Sequence, residues 1–182
     1  MSNSVRYVIG VDPSGSFHEG KGTTGICVYD KKTDTVVKLV CVYAKDYMCL
    51  EDYFKANFAA IDMLCNEYTT VHKSEVITPV VSMEEYLLYA KKAEAQIHSH
   101  METCQLIGYL RVMIRDAGVP LYMRPAVIAK KRWTDSILVH RGLIVYNKSS
   151  YYSSKWEGAL PMHLRDAIRH AVHCAEFEVN KQ

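Results

Sequence analysis

Three β-branched, aromatic-rich runs crowd into the first 43 residues: VRYVIGV (5–11), ICVYD (26–30) and TVVKLVCVY (35–43). The links are a loop carrying Gly15, Gly20, Gly22 and Gly25 and a polar turn, KKTD. Neither link has helical periodicity, so the runs are predicted to form an antiparallel meander. The pattern then changes period. From Leu50 to Tyr68 apolar residues recur at helical spacing, through Tyr53, Phe54, Phe58, Ile61, Leu64 and Cys65. EVITPVVSME (75–84) returns to strand composition, with Pro79 near its start marking an edge or a bulge. A long helix is predicted from about Tyr89 to Ala117, closed by Gly118, and VPLYM (119–123) is a short strand. Pro125 opens a further helix that Gly142 ends, 143–160 reads as irregular, and Pro161 opens a last helix to about Phe177. The order is β-β-β-α-β-α-β-α. It implies an α/β fold with a mixed five-stranded sheet, three antiparallel strands plus two alternating with helices on both faces.

A chain of 182 residues is expected to form a single domain, 1–182. With 49% hydrophobic and 23% charged residues it has an ordinary globular composition. No apolar run approaches the roughly 20 residues of a membrane span, and the N-terminus lacks a signal-peptide pattern. Six scattered cysteines without a CxxC read as reduced, mostly buried thiols of a cytoplasmic protein.

The charge is unevenly divided. Residues 1–90 carry 8 basic and 12 acidic side chains, and residues 91–182 carry 14 and 8. Between Arg111 and Lys155 nine basic residues face only Asp116 and Asp135. Such an excess is either a footprint for a polyanion or a solvated basic face. Arg124, Lys130, Lys131, Arg132, Arg141, Lys148 and Lys155 interleave with Trp133, Tyr146, Tyr151, Tyr152 and Trp156, a composition that suits phosphates and unstacked bases. Alternatively, Trp133 belongs to the core and 147–156 is a surface loop.

GSFHEGKG (15–22) imitates a phosphate-binding loop, but Gly22 stands where a hydroxyl would be needed. TTGICVYD after it is strand-like, whereas such a loop must open a helix. It reads as a flexible link between strands.

The carboxylates are more informative. Asp12 ends the first strand in VIGVDPSG, where it could simply begin a turn. Glu84 ends the fourth in VSMEEY, where it and Glu85 could begin a helix. In PMHLRDAIRHAVHCAEF, His163, Asp166, His170 and His173 follow one helical stripe beside the apolar Leu164, Ile168, Ala171 and Ala175. Arg165, Arg169 and Glu176 are expected to point away. Each residue alone is as well explained by a helix boundary or a turn. Together, two strand-end carboxylates and a His-x-x-Asp pair can form an oxygen-rich site for Mg²⁺ or Mn²⁺. Two such ions would stabilise both the attacking and the leaving oxygen of a phosphodiester displacement.

VIGVDPS with GTTGICVYD, then VSMEEY, then HLRDAIRHAVH resemble the RuvC-type Holliday junction resolvases, a branch of the ribonuclease H-like superfamily. The pieces fall in the family's order over almost the whole chain. The resemblance implies a metal-dependent endodeoxyribonuclease that cuts four-way junctions, and other branched DNA in phage-encoded members. By the same resemblance Asp12, Glu84, His163 and Asp166 are the catalytic metal ligands, for two Mg²⁺ that Mn²⁺ can replace. A homodimer in a bacterial or phage-infected cytoplasm is also implied. Lys130, Lys131 and Arg132 stand where the family has a DNA-facing basic segment, and Arg124 and Lys148 are added to the expected DNA surface. Departures are the longer loop after Asp12, the doubled Glu84-Glu85, and Leu87 at a family aromatic position, which suggest a phage-encoded or divergent member. The rival readings are a nuclease for RNA–DNA hybrids or flaps, and a branched-DNA-binding protein that does not cut.

Overall fold

A computed structural model describes residues 5–72, 74–86 and 101–179. The meander is present as β1 (Tyr7–Asp12), β2 (Thr23–Asp30) and β3 (Thr35–Tyr43), antiparallel throughout. α1 (Leu50–Glu67) follows, then two short strands, β4 (Thr70–His72) and β5 (Glu75–Ile77), which pair as a separate hairpin. β6 (Val80–Glu85) returns to the main sheet beside β1, and β7 (Leu121–Pro125) lies beside β6, both parallel. The five-stranded order is β3-β2-β1-β6-β7. The mixed sheet expected from the sequence is therefore the sheet observed.

Side-chain alternation divides the core in two. Val8, Cys27, Tyr29 and Val80 face one layer, built with α5 (Met162–Phe177). Ile9, Val11, Ile26, Val28, Val81 and Met83 face the other, built with α1 and α2 (Glu102–Asp116). β1 and β6 are thus covered on both faces, which explains their unbroken apolar runs. α5 lies unusually close to the sheet. A Cβ added at Gly10 would sit 2.0 Å from the Ala167 carbonyl oxygen, and one at Gly25 would sit 2.3 Å from that of His163. Only glycine allows this approach.

Several expected boundaries shift for local reasons. The strand expected over 75–84 divides at Pro79, which has no N–H for a ladder. The helix expected from 89 to 117 is seen as α2, closed by Gly118 at φ 71° with its N–H on the Arg115 carbonyl at 2.9 Å; residues 89–100 of that expectation lie outside the described residues. Pro125 ends β7 and precedes α3 (Ala126–Arg132) rather than lying within it. The single helix expected up to Gly142 breaks at Trp133, because Thr134 caps α4 (Asp135–His140), its Oγ1 accepting from the Ile137 N–H. The stretch expected to be irregular contains a hairpin, β8 (Val145–Asn147) with β9 (Ser150–Tyr152). Among the described residues, no helix is long and apolar enough to cross a membrane.

Candidate metal centre

Register brings the strand-end carboxylates together. Val11 pairs with Met83 at the last β1–β6 position, so Asp12 and Glu84 come next on adjacent parallel strands and on the α5 face. Asp12 also lies opposite Gly25, whose missing side chain admits the backbone of α5 at His163. His163 Nδ1 donates to Asp12 Oδ2 at 2.6 Å. One turn along the helix from Asp166, His170 reaches the same place. Asp12, Glu84 and His170 each offer a ligand atom, and these atoms lie within 4.8 Å of one another.

The electrostatics of this cluster are those of a site short of positive charge. Glu84 is pushed up to about 8 by burial and by its hydrogen bond and repulsion with Asp12. Burial also acts to raise Asp12, but hydrogen bonds from His163 and Glu84 outweigh it and hold its carboxyl below the usual value. His170 is 1% exposed, and burial drives it down to about 4, leaving a neutral ring at pH 7. Neither of its ring nitrogens has a hydrogen-bond partner. A buried imidazole without partners is costly. Facing two carboxylates, it supplies the lone pair that a divalent cation would take. The donor set therefore fits a hard cation with one nitrogen ligand.

Asp166 is brought to the same neighbourhood but is otherwise engaged. It is 2% exposed, with Lys130 Nζ 2.7 Å from its Oδ2 and the Arg169 guanidinium on its Oδ1. Burial opposes the charge on Lys130, yet the bond to Asp166 wins and raises its pKa. Arg169 corrects the expectation that it points to solvent. It is 8% exposed, and it donates through Nε to the Trp133 carbonyl at 2.7 Å and through Nη2 to Asp135 at 2.5 Å. Those partners come from the break between α3 and α4, which local periodicity does not reveal. His170 was visible on the helix stripe, four residues after Asp166, but the stripe alone does not separate it from His173. Glu85 is exposed, one residue past Glu84 and so on the opposite side of the strand.

The expected DNA surface is mixed in character. Lys130 points into the carboxylates, and Arg124 is paired with Glu178 at 2.7 Å. Arg132 lies over the Phe177 ring at 4.6 Å. Lys131 and Lys148 are exposed. Trp133 is 6% exposed within the core, so it is not a base-stacking surface, whereas Tyr146 is 56% exposed. The glycine loop after Asp12 runs into β2, as expected of a link between strands. Its Phe17 N–H is held by Glu102 Oε2 at 2.7 Å and its Gly15 N–H by Thr103 Oγ1 at 3.0 Å, both from the start of α2.

No family model and no curated protein matches the chain. Solved structures do. Thermus thermophilus RuvC in complex with a Holliday junction substrate superposes with a TM-score of 0.62 at 17% identity, over 96% of this chain and 97% of that one. Another T. thermophilus RuvC structure gives 0.58 at 17% identity, over 93% of each chain. The chain has the ribonuclease H-like fold of T. thermophilus RuvC, shared along nearly its entire length.

Proposed function

We propose that this protein is a metal-dependent endonuclease that hydrolyses phosphodiesters in branched DNA, with four-way junctions as its principal substrate. The observation that carries the reading is the convergence of Asp12, Glu84 and the unpartnered His170 within 4.8 Å. Clustered carboxylates repel a DNA backbone, so the arrangement makes chemical sense with cations between them. The likeness to a RuvC seen bound to a Holliday junction supports branched DNA as the partner.

Bound divalent cations, two Mg²⁺ in this reading with Mn²⁺ as a substitute, would neutralise the scissile phosphate and lower the pKa of the attacking water. Asp12 and Glu84 would hold them from the strand ends, with His170 adding a nitrogen. Asp166 joins once Lys130 yields its carboxylate. The Nδ1–H of His163 fixes the Asp12 carboxylate, and its Nε2 then carries the lone pair of the neutral ring. Arg169 holds Asp166 from the opposite side. The basic residues Lys131, Arg132 and Lys148 supply phosphate contacts away from the acidic cluster. A second copy of the chain would provide the second cut that resolution of a junction needs.

The test is direct. Purified protein is incubated with labelled four-way junction, flap, duplex and RNA–DNA hybrid, with Mg²⁺, Mn²⁺ or EDTA. Metal-dependent cutting of the junction in preference to duplex is expected. Preference for the hybrid would replace this reading with a ribonuclease H activity, and binding without cutting in any metal would replace it with a structural role on DNA.

A further inference from the structure

α3 and the end of α5 frame a cleft that the carboxylate cluster does not use. Arg124, Ile128, Arg132, His173, Phe177 and Glu178 line about 390 Å³. His173 is 9% exposed, and its Nδ1 has no hydrogen-bond partner. Burial holds the ring below its ordinary pKa, and Arg124 and Arg132 act in the same sense against the opposing charges of Glu178 and Glu176.

Two guanidiniums line this cleft, each with its own anchor. Glu178 accepts from Arg124 Nε at 3.0 Å and pairs with its Nη2 at 2.7 Å. Arg132 instead lies on the Phe177 ring, whose centroid is 5.0 Å from that of His173. Among the described residues, no carboxylate pairs with Arg132. An aromatic face orients a guanidinium without neutralising it, so the charge and the fork of N–H donors remain available. A second cleft of about 620 Å³ continues past Arg132, lined by Ile128, Lys131, Trp133 and Ile137.

The location ties this cleft to the metal centre. Arg124 is the register partner of Glu84 on the adjacent strand, and alternation puts both side chains on the α5 face. The cleft therefore begins one strand spacing, about 4.8 Å, across the sheet from Glu84. Resting on the nuclease reading above, we infer that this cleft is a phosphodiester subsite, seating a backbone phosphate near the scissile one against Arg132. Arg124 adds a second positive charge, and Ile128 and Phe177 offer apolar surface to a sugar. A planar fork of donors matches two oxygens of a phosphodiester. The apolar lining suits a nucleic-acid strand better than a small, multiply charged anion.

The experiment measures binding of a four-way junction, in Ca²⁺ or EDTA, with one phosphate at a time near the branch point neutralised as a methylphosphonate. Wild type, Arg132→Ala and Arg132→Lys are compared after their folding is verified by circular dichroism. One neutralisation is expected to weaken wild-type binding roughly tenfold. The same neutralisation should add nothing in Arg132→Ala and an intermediate loss in Arg132→Lys. If every neutralisation weakens Arg132→Ala as much as wild type, the subsite is overturned, even in a protein that cuts junctions. If the coupling is found in a protein that cuts no DNA in any metal, the subsite stands and the nuclease reading falls. Absence of binding to any branched DNA overturns both.

Discussion

Lys130 Nζ lies 2.7 Å from Asp166 Oδ2, so an ammonium occupies a carboxylate expected to serve a metal. The pair is half-buried on the lysine side and fully buried on the aspartate side. Desolvation makes such a contact costly to break and leaves Asp166 neutralised from two directions, by Lys130 and by Arg169. A divalent cation must therefore compete with Lys130.

Removing that competitor has a measurable result. Lys130→Ala should bind Mn²⁺ several-fold more tightly than wild type in the absence of DNA, read by calorimetric titration. The same variant should have a lower melting temperature in EDTA, because Asp166 loses a partner while remaining buried. Unchanged or weaker Mn²⁺ binding would show that Asp166 does not serve the metal.

The two neighbouring glutamates should behave differently. Glu84→Gln is expected to lower junction cleavage at least about 100-fold, the scale of a lost charged contact to a reacting group, with binding retained. Glu85→Gln should stay within a few-fold of wild type. The sign of the stability effect is also fixed. Glu84 has a raised folded pKa, so its charge is tolerated in the unfolded chain above about pH 4.5 and resisted in the folded one up to about pH 8. In EDTA at pH 8, Glu84→Gln should therefore melt higher than wild type, and the difference should vanish near pH 4.

His163→Asp offers a test of ligand chemistry against packing. A carboxylate can replace imidazole for a hard cation, so cleavage in saturating Mg²⁺ should persist within about tenfold. Without metal the new carboxylate would meet Asp12, now lacking the Nδ1–H donor it accepts at 2.6 Å, and melting temperature in EDTA should fall by several degrees. Loss of cleavage with unchanged stability would point to a requirement for the ring itself.

Asp30 provides a pH prediction remote from the metal centre. Burial acts against its charge, but bonds from Arg6 and from the Lys32 N–H at 2.9 Å outweigh this and depress its pKa. A depressed carboxylate contributes stability above its unfolded value, near pH 4, and loses it as the pH falls through the folded pKa. Asp30→Asn should melt a few degrees below wild type from pH 5 to 7, with the gap closing below about pH 4. A gap that persisted at pH 2 would assign the loss to packing rather than to charge.

Asp12 and Glu84 are legible in the sequence because each ends an apolar strand, and the order of strands dictates that β1 and β6 be neighbours. His163, Asp166 and His170 are legible as a stripe because helical spacing is a local property. What each stripe residue does is not local. Arg169 falls outward by periodicity, yet its partners Trp133 and Asp135 lie 36 and 34 residues away across a helix break. Lys130 reads as part of a DNA-facing basic run until tertiary packing turns it toward Asp166. The β4–β5 hairpin and the end of β7 escape for a similar reason, since Pro79 and Pro125 signal interruption without saying on which side the strand continues.

Gly10 and Gly25 carry no chemistry, but they set the distance between the helix that supplies His163, Asp166 and His170 and the strand that supplies Asp12. A saturation scan scored by junction cutting should therefore find these two positions as intolerant as the carboxylates themselves. Distant relatives with altered ligands can then be recognised by what they omit. A side chain missing two residues before the first strand-end carboxylate, and another missing opposite it on the next strand, marks the same helix seated on the same sheet, whichever acidic or imidazole groups that helix carries.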